Sequence, residues 1–152
     1  MSNMFDVYTS SGKLLFSAYE RSPCLYRFVY GRQHGLTLHV TDGDGQIGYV
    51  SQICGTRLQF DVFDSTGRVA RVVGPKCCAL GCCGCCFPTK IYSNDGEQTG
   101  VITKHFGGFF KELCTNADVF HVEFPTDMKA RGKALLLSTV FLIDYVAFED
   151  VN

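Results

Sequence analysis

The sequence predicts a mainly β domain in which two related halves, built of antiparallel strands, surround a hydrophobic C-terminal helix. Three observations lead to this fold class: an internal repeat, two Asp-Gly turns between alternating apolar runs, and one long apolar segment near the C-terminus. The chain has 152 residues, of which 46% are hydrophobic, and is therefore long enough to bury one sizeable core. We expect a single domain over residues 1–152.

The repeat is visible by direct comparison of two pairs of segments. FDVYTSSGKL at 5–14 aligns with FDVFDSTGRV at 60–69. DGQIGYVSQ at 44–52 resembles DGEQTGVITK at 95–104. Two matches in the same order indicate that the chain consists of two related halves.

Antiparallel strands are predicted within each half. The Asp-Gly pairs at 44–45 and 95–96 stand between alternating apolar runs, which is a strong hairpin signal because glycine adopts the positive φ that tight turns need. The runs LTLHV, LQFDVF and FHVEF alternate as strands with one buried face do. The pseudo-repeats are predicted to cover about 4–53 and 58–127.

A helix is predicted at 128–148, where the sequence has an almost uninterrupted apolar run. Its most apolar part, 134–148, would be about 22 Å long, shorter than the roughly 20 residues that cross a bilayer. It also contains Asp144, whose carboxylate is costly inside a membrane. The sequence leaves two alternatives: the helix is enclosed by the two halves, or it inserts into a bilayer.

Charge and composition exclude some classes of function. The net charge is −1 and the basic residues are scattered, so the sequence carries no strong nucleic-acid signal. The N-terminus lacks the charged start and apolar run of a signal peptide. We therefore expect a reducing, cytosolic environment, in which the nine cysteines are not paired in disulfides.

Six cysteines crowd into ten positions of the segment KCCALGCCGCCFP: Cys77, Cys78, Cys82, Cys83, Cys85 and Cys86. Zinc is one interpretation, although no second ligand pair follows at the usual distance. A catalytic thiol would need a base such as His105 or His121 beside it. The remaining alternatives are small buried side chains and S-acylation, for which several neighbouring thiols supply the two or more lipids of a stable anchor.

Several segments resemble the phospholipid scramblase family. VGPKCCALGCCGCC, GVITKHFGGFFKELCTNADVFHVEFPTDM and KALLLSTVFLIDYVAFE, all within 73–149, are similar to the C-terminal half of that family. FDVYTSSGKLLFSAYERSPC at 5–24 resembles the opening of its domain. The resemblance implies the tubby-like fold, a closed twelve-stranded antiparallel barrel around a central hydrophobic helix, here the C-terminal one.

The chain departs from the family in two places. The proline-rich tail that offers ligands to SH3 and WW domains is absent from the sequence, so those partners are not expected. The first-half cysteine cluster and its extra strands are also missing, because the turn at 44–45 runs directly into Gly48-Tyr49-Val50. We therefore expect a shortened member of the family with a barrel that is closed or incomplete.

The resemblance also implies a calcium loop in NADVFHVEFPTD, residues 116–127. At the spacing of an EF-hand its ligand positions fall on Asn116, Asp118, Phe120, Val122 and Asp127. Phe120 has no side-chain oxygen and Val122 offers only its carbonyl, so any calcium site is weak. The alternating pattern of the same segment equally predicts a strand flanked by carboxylates.

The function implied by the resemblance is calcium-responsive, ATP-independent movement of phospholipids between membrane leaflets, without covalent chemistry. Acylation at Cys77–Cys86 is carried over by residue type, from a family cluster elsewhere in the chain. The expected location is the cytoplasmic face of the plasma membrane or of other membranes. The alternative is a non-enzymatic, membrane-anchored tubby-like adaptor that binds lipid headgroups or proteins.

Overall fold

Nine antiparallel strands follow one another in chain order through one sheet, each pairing with the next. The computed structural model describes residues 4–21, 35–53, 57–75, 88–105 and 119–147. The strands are β1 (Met4–Tyr8), β2 (Leu14–Glu20), β3 (Thr37–Asp42), β4 (Gly45–Gln52), β5 (Gln59–Asp64), β6 (Gly67–Val73), β7 (Thr89–Tyr92), β8 (Gln98–His105) and β9 (Val119–Glu123). They are followed by the helix α1 (Ala130–Ala147). The predicted fold class, mainly β with one C-terminal helix, is confirmed.

The two Asp-Gly pairs lie in hairpin turns. Gly45 has a φ of 126° and begins β4, while Gly96, with a φ of 83°, lies between β7 and β8. In the first turn the backbone N–H of Asp44 donates to the carboxylate of Asp42 at 2.9 Å. A left-handed backbone position explains why glycine stands at both places.

In each half of the sheet, a glycine allows the backbone of the neighbouring strand to approach closely. A Cβ atom added to Gly48 in β4 would overlap the carbonyl oxygen of Phe63 in β5. One added to Gly100 in β8 would overlap the carbonyl oxygen of Glu123 in β9. The two glycines occupy the same place in the repeated segments, so both halves bring the next strand close in the same way.

The core lies between α1 and the concave face of the sheet. Alternate residues of the strands point inward, and Phe60 is the largest fully buried side chain among the described residues. The hydroxyls of Ser138 and Thr139 donate to helix carbonyls four residues earlier, which satisfies these buried polar groups. The most buried apolar residues of the helix are Leu135, Leu136, Leu142 and Ile143.

The sheet curls around α1 without closing. Phe5 of β1 stacks on Phe141 of the helix, and Lys104 of β8 lies beside Asp144. Strands from near both edges therefore reach the same helix. Within the described residues, however, no backbone pairing joins β1 to β9. The central helix is present as expected, and across the described ranges the sheet has nine strands and is not closed, which is consistent with an incomplete form of the predicted twelve-stranded barrel.

The antiparallel order gives the sheet two distinct ends. The hairpin end carries the short turns within each strand pair and the start of α1, where Arg131 meets Asp42 and Asp44. At the distal end β2, β4, β6 and β8 finish, and Asp144 lies beside Lys104. The chain segments that connect strands at the distal end fall outside the described residues: 22–34, 54–56, 76–87 and 106–118.

Candidate functional site

An ion pair joins the sheet to the helix near the distal end. Lys104 Nζ lies 3.7 Å from Asp144 Oδ1 and 5.2 Å from the centre of the Phe120 ring. The side chain of Lys104 is 3% exposed, whereas that of Asp144 is 41% exposed. A buried ammonium needs an opposite charge, and Asp144 provides one while remaining partly solvated.

One face of α1 is less covered than the rest. Ala134, Leu137, Phe141 and Tyr145 are half-buried, and their spacing of three and four residues places them along a single stripe. Phe5 covers part of this stripe, with ring centroids 5.1 Å apart and ring planes 2° apart. We call these four helix residues the open face of α1.

A groove of about 300 Å³ continues the open face toward the hairpin end. Its lining is mainly apolar and comes from β2, the end of β3, β4 and the first turns of the helix. Such a volume lies at the lower end of the range for small-molecule sites. The lining residues are Leu15, Phe16, Asp42, Ile47, Ala130, Arg131, Lys133, Ala134 and Leu137.

The rim of the groove is charged. Arg131 Nε lies 3.3 Å from Asp42, and Arg131 Nη2 lies 3.2 Å from Asp44. Lys133 Nζ lies 5.6 Å from the centre of the Phe124 ring. The first turn of α1 contains no acidic residue, so its positive dipole end is not offset by a carboxylate there. The groove therefore combines apolar walls with a rim that carries both signs of charge, Arg131 and Lys133 together with Asp42 and Asp44.

Four rings form a row across the convex face of the sheet. The ring centroids of Tyr19 and His39 are 5.5 Å apart, those of His39 and Tyr49 are 5.8 Å apart, and those of Tyr49 and Phe63 are 4.7 Å apart. Because most ring faces are covered by a neighbour, the row stabilises the strand pairs and offers little surface for stacking a ligand.

The pKa of His39 is lowered within this row. Burial, followed by the charge of Arg21, holds the pKa of His39 below its usual value of 6.5. Gln46 Nε2 lies 3.1 Å from Nδ1 of the ring, where a neutral nitrogen accepts its hydrogen bond. Sequence reasoning missed this row, because the rings come from separate strands and only the strand register places them side by side.

A second convex-face contact is the pair between Arg71 and Asp61. Arg71 donates from Nε at 2.7 Å and from Nη2 at 2.9 Å to the two carboxylate oxygens. These hydrogen bonds raise the pKa of Arg71 above its usual value. The contact is a bidentate ion pair that links the neighbouring strands β5 and β6.

Three of the five predicted calcium ligands are described. Phe120 and Val122 are half-buried residues of β9, where they pair with Lys104 and Ile102 of β8, and Asp127 is exposed in the turn before α1. The other two, Asn116 and Asp118, lie outside the described residues.

All nine cysteines, including the six of Cys77–Cys86, lie outside the described residues. The two histidines considered as bases are the last residue of β8, His105, and an exposed residue of β9, His121. In the described ranges, no three His, Cys, Asp or Glu side chains converge as metal ligands. No helix in the same ranges has both the length and the apolarity required to cross a membrane.

The sequence is similar to known proteins over nearly its whole length. Human phospholipid scramblase 2 is 28% identical over 183 residues, covering 97% of this chain and 61% of the relative. Human phospholipid scramblase 1 is 28% identical, with 99% of this chain and 58% of the relative covered. Human phospholipid scramblase family member 5 is 26% identical, with 97% and 67% covered.

These comparisons also show how much of each relative the chain covers. It spans about three fifths of the length of the first two relatives. The aligned stretch of 183 residues is longer than the 152-residue chain, so the relative has internal residues without a counterpart here. No solved structure gives a significant match. The family profile named Scramblase matches residues 43–150, which include β4 to β9 and α1, and the chain therefore belongs to the Scramblase family.

Proposed function

We propose that this protein moves phospholipids between membrane leaflets without ATP, in response to calcium. The observation that carries the proposal is the match of the Scramblase profile to the segment containing α1 and the strands around it. The relatives named phospholipid scramblases extend this similarity over nearly the whole chain. Movement of lipids down their own gradient needs no energy input and no nucleophile.

The geometry of α1 supports a role in lipid handling. Its open face is apolar, and charged groups stand near both ends: Arg131 and Lys133 at the hairpin end, Lys104 and Asp144 at the distal end. The thirteen residue steps from Arg131 to Asp144 correspond to about 20 Å of helix. The apolar face can bind acyl chains, and the charged groups at its two ends can bind headgroups. This separation lowers the free energy needed to move a headgroup through an apolar environment.

Acylation is proposed as the anchor. In the sequence, the cluster Cys77–Cys86 lies between the end of β6 at Val73 and the start of β7 at Thr89. A single acyl chain gives marginal membrane affinity, and six acceptors allow the two or more chains of a stable anchor. Hydroxylamine treatment of cell membranes should release the protein. A chain that is already soluble before treatment would contradict the anchor, as would failure of a variant with all six cysteines changed to serine to alter fractionation.

Calcium is proposed to act weakly, through carboxylates on either side of β9. Asp127 is exposed and able to contribute oxygens, and Asp118 lies on the other side of the strand in sequence. Calorimetric titration should give an affinity no tighter than the millimolar to high-micromolar range. The Asp118→Asn and Asp127→Asn variants should each weaken it further. If the unaltered chain and the double variant give equal heat changes on titration with calcium, these carboxylates do not bind calcium and the calcium part of the proposal is wrong.

The central test is lipid movement in reconstituted vesicles. The purified full chain is incorporated into liposomes that contain a fluorescent phospholipid, and dithionite quenching of the label is followed with and without calcium. We expect quenching beyond the outer-leaflet fraction when protein is present, and more of it at millimolar calcium. Quenching that stops at the outer-leaflet fraction under both conditions would overturn the proposed activity.

A membrane-anchored adaptor is the second candidate function. The observation in its favour is the unclosed sheet, since the two edge strands β1 and β9 do not pair with each other in the described part of the chain. Unpaired edges are sites where another polypeptide adds a strand. An adaptor would bind lipid headgroups or proteins, on the cytoplasmic face of the plasma membrane or of another membrane, and would leave dithionite quenching unchanged.

A further inference from the structure

The two edge strands of the sheet differ in how well their side chains protect them from pairing with another chain. In the described ranges, the exposed large hydrophobic residues are Met4, Tyr8, Leu14, Leu15 and Val119. On β9, two of the three outward residues are His121 and Glu123, which are 61% and 67% exposed. On β1 the outward residues are Met4, Asp6 and Tyr8, and the strand contains neither lysine nor proline, the residues that commonly block edge pairing. Strand β1 is therefore the less protected edge.

The backbone of β1 is regular enough to pair on its outer side. From Met4 to Val7 its register with β2 is continuous, and the register shift lies between Val7 and Tyr8. Within the described part of the chain, β2 is the only strand that pairs with β1. In an antiparallel pair every second residue directs its N–H and C=O toward the partner, so the remaining groups of β1 face away from β2. These groups are donors and acceptors for a further strand.

The directions of the strands favour an additional strand over direct closure of the sheet. Because the nine strands alternate in direction, β1 and β9 run the same way. Pairing between these two edges would be parallel, whereas every neighbouring pair in the described sheet is antiparallel. A strand added antiparallel to β1 continues the alternation from that edge.

The inner side of β1 borders apolar surface that an added strand would cover. Phe5 stacks on Phe141 of the open face, and both rings remain half-buried. Val7, the other inward residue of β1, is also half-buried, and all three side chains pack against the buried core. Apolar side chains on the inner side of a neighbouring strand would remove more of this surface from water, in addition to the backbone hydrogen bonds.

Asp6 determines the charge on the outer side of β1. It is the only charged residue of the strand, and its carboxylate accepts a hydrogen bond from Ser17 Oγ at 2.6 Å. Among the described residues, no basic side chain forms an ion pair with Asp6. A cation directly opposite on a neighbouring strand would provide one. The edge therefore favours a segment in which apolar and polar residues alternate and the central polar residue is basic.

We propose that β1 binds an extended segment of a partner protein as an additional antiparallel strand. Apolar residues of the segment face Phe5 and Val7, and a lysine or arginine lies opposite Asp6. A second copy of this chain is a poorer occupant, because two β1 strands paired around Asp6 would place two carboxylates opposite each other. The inference deepens the adaptor candidate of the proposed function, on which it rests in taking a polypeptide as the ligand, and it requires no lipid movement.

Short synthetic peptides test the proposal. The first peptide alternates threonine with valine and has lysine at its central threonine position, and its binding to the full chain is followed by fluorescence anisotropy. A second peptide has glutamate at the centre, and a third is the lysine peptide with methyl groups on its central backbone nitrogens. We expect the lysine peptide to bind about fivefold more tightly than the glutamate peptide. The methylated peptide should not bind, because it cannot donate backbone hydrogen bonds to β1.

Substitutions on β1 should change peptide binding in a defined direction. In Asp6→Lys the preference should be reversed, so that the glutamate peptide binds about fivefold more tightly than the lysine peptide. Met4→Lys adds a lysine to the edge and should weaken binding of the lysine peptide about threefold. The matched control is Val119→Lys on β9, where the side chain is 58% exposed, and it should bind as the unaltered chain does. All three positions are exposed, so thermal unfolding should be unchanged.

Hydrogen exchange locates the bound peptide. The backbone amides of β1 should exchange more slowly when the lysine peptide is present, and those of β9 should not change. The proposal is overturned if the lysine peptide does not bind, if the methylated peptide binds equally well, or if Asp6→Lys keeps the original charge preference. A dimer that Met4→Lys dissociates in sedimentation would assign the edge to a second copy. Slow exchange of all β1 amides in the monomeric chain without peptide would assign it to another segment of the same chain.

The dithionite assay separates this inference from the proposed lipid movement. A chain that binds the lysine peptide at β1 but does not accelerate quenching contradicts only the movement of lipids. A chain that accelerates quenching but binds none of the peptides contradicts only strand addition at β1.

Discussion

Lys104 and Asp144 form an ion pair of 3.7 Å between β8 and the last turns of α1. Their burial is unequal, because 3% of the lysine side chain and 41% of the aspartate side chain are exposed. The aspartate side chain keeps part of its hydration although its Oδ1, the oxygen nearest the ammonium, is buried, whereas the ammonium depends on protein groups. Asp144, which weighed against a membrane-crossing helix in the sequence, therefore serves as a partner for a cation inside the sheet.

Because their burial is unequal, substitution of Asp144 and substitution of Lys104 should lower the free energy of unfolding by different amounts. Asp144→Asn leaves a buried ammonium with less compensation and should lower the free energy of unfolding by about 2 kcal/mol. Lys104→Met replaces the ammonium with an apolar side chain of similar length, and the partly exposed carboxylate is then solvated, so its cost should be below about 1 kcal/mol. Urea unfolding of both variants measures the difference. A larger loss for the lysine change would contradict the ion-pair interpretation.

Gly48 should tolerate no side chain. A Cβ atom there meets the Phe63 carbonyl oxygen, and Leu135 of the helix lies 3.0 Å away on the other side. Gly48→Ala should therefore lower the free energy of unfolding by about 3 kcal/mol or more. Gly43→Ala is the matched control, because nothing lies within 4 Å of its Cβ position. Equal stability of the two variants in urea unfolding would show that β4 and β5 are not held this closely.

The same glycine shows how much of the fold could be predicted from the sequence. Repeated segments around Gly48 and Gly100, together with the Asp-Gly turns, indicate two antiparallel halves, since turns and alternation are local properties. Closure of the barrel is not local: it depends on how many strands the chain supplies and how far the sheet curls. The sequence alone therefore predicted a central helix but left open whether nine strands would close around it.

The candidate site was less predictable than the fold. The groove depends on Leu15 and Arg131, which are more than a hundred residues apart and meet only after the helix packs in the sheet. Exposure of Leu14 and Leu15 also has no local signal, because an alternating strand pattern would bury one of them. The residues that sequence analysis did single out, Cys77–Cys86 and the segment 116–127, lie wholly or partly outside the described residues, so their roles stay predictions.

His39 should make stability depend on pH. Because its pKa in the folded protein is lowered, chiefly by burial, the unfolded chain takes up a proton first as the pH falls. The contribution of the neutral ring is complete above about pH 6.5 and is lost as the pH drops toward the folded-state pKa. Urea unfolding should therefore show a decrease in the free energy of unfolding between about pH 7 and pH 5.

The variant His39→Phe isolates this effect. Phenylalanine keeps an aromatic ring between Tyr19 and Tyr49 but does not titrate, so the decrease between about pH 7 and pH 5 should become smaller. His121→Gln, at a position whose side chain is 61% exposed, should leave the dependence unchanged. A steeper dependence in His39→Phe, or the same change in both variants, would assign the effect to other groups.

Phe5 and Phe141 should be energetically coupled, since their rings stack 5.1 Å apart and fasten the edge strand β1 to the open face of α1. Phe5→Leu and Phe141→Leu each keep an apolar side chain but remove one ring of the stack. In a double-mutant cycle measured by urea unfolding, we expect a coupling energy of about 1 kcal/mol. The matched pair Phe5→Leu and Phe60→Leu should be nearly additive, because Phe60 lies in the centre of the sheet and shares no ring contact with Phe5. If the Phe5 and Phe141 changes are also additive, the ring stack does not stabilise the position of β1. Strand β1 is then held only by its pairing with β2 and can move away from the helix.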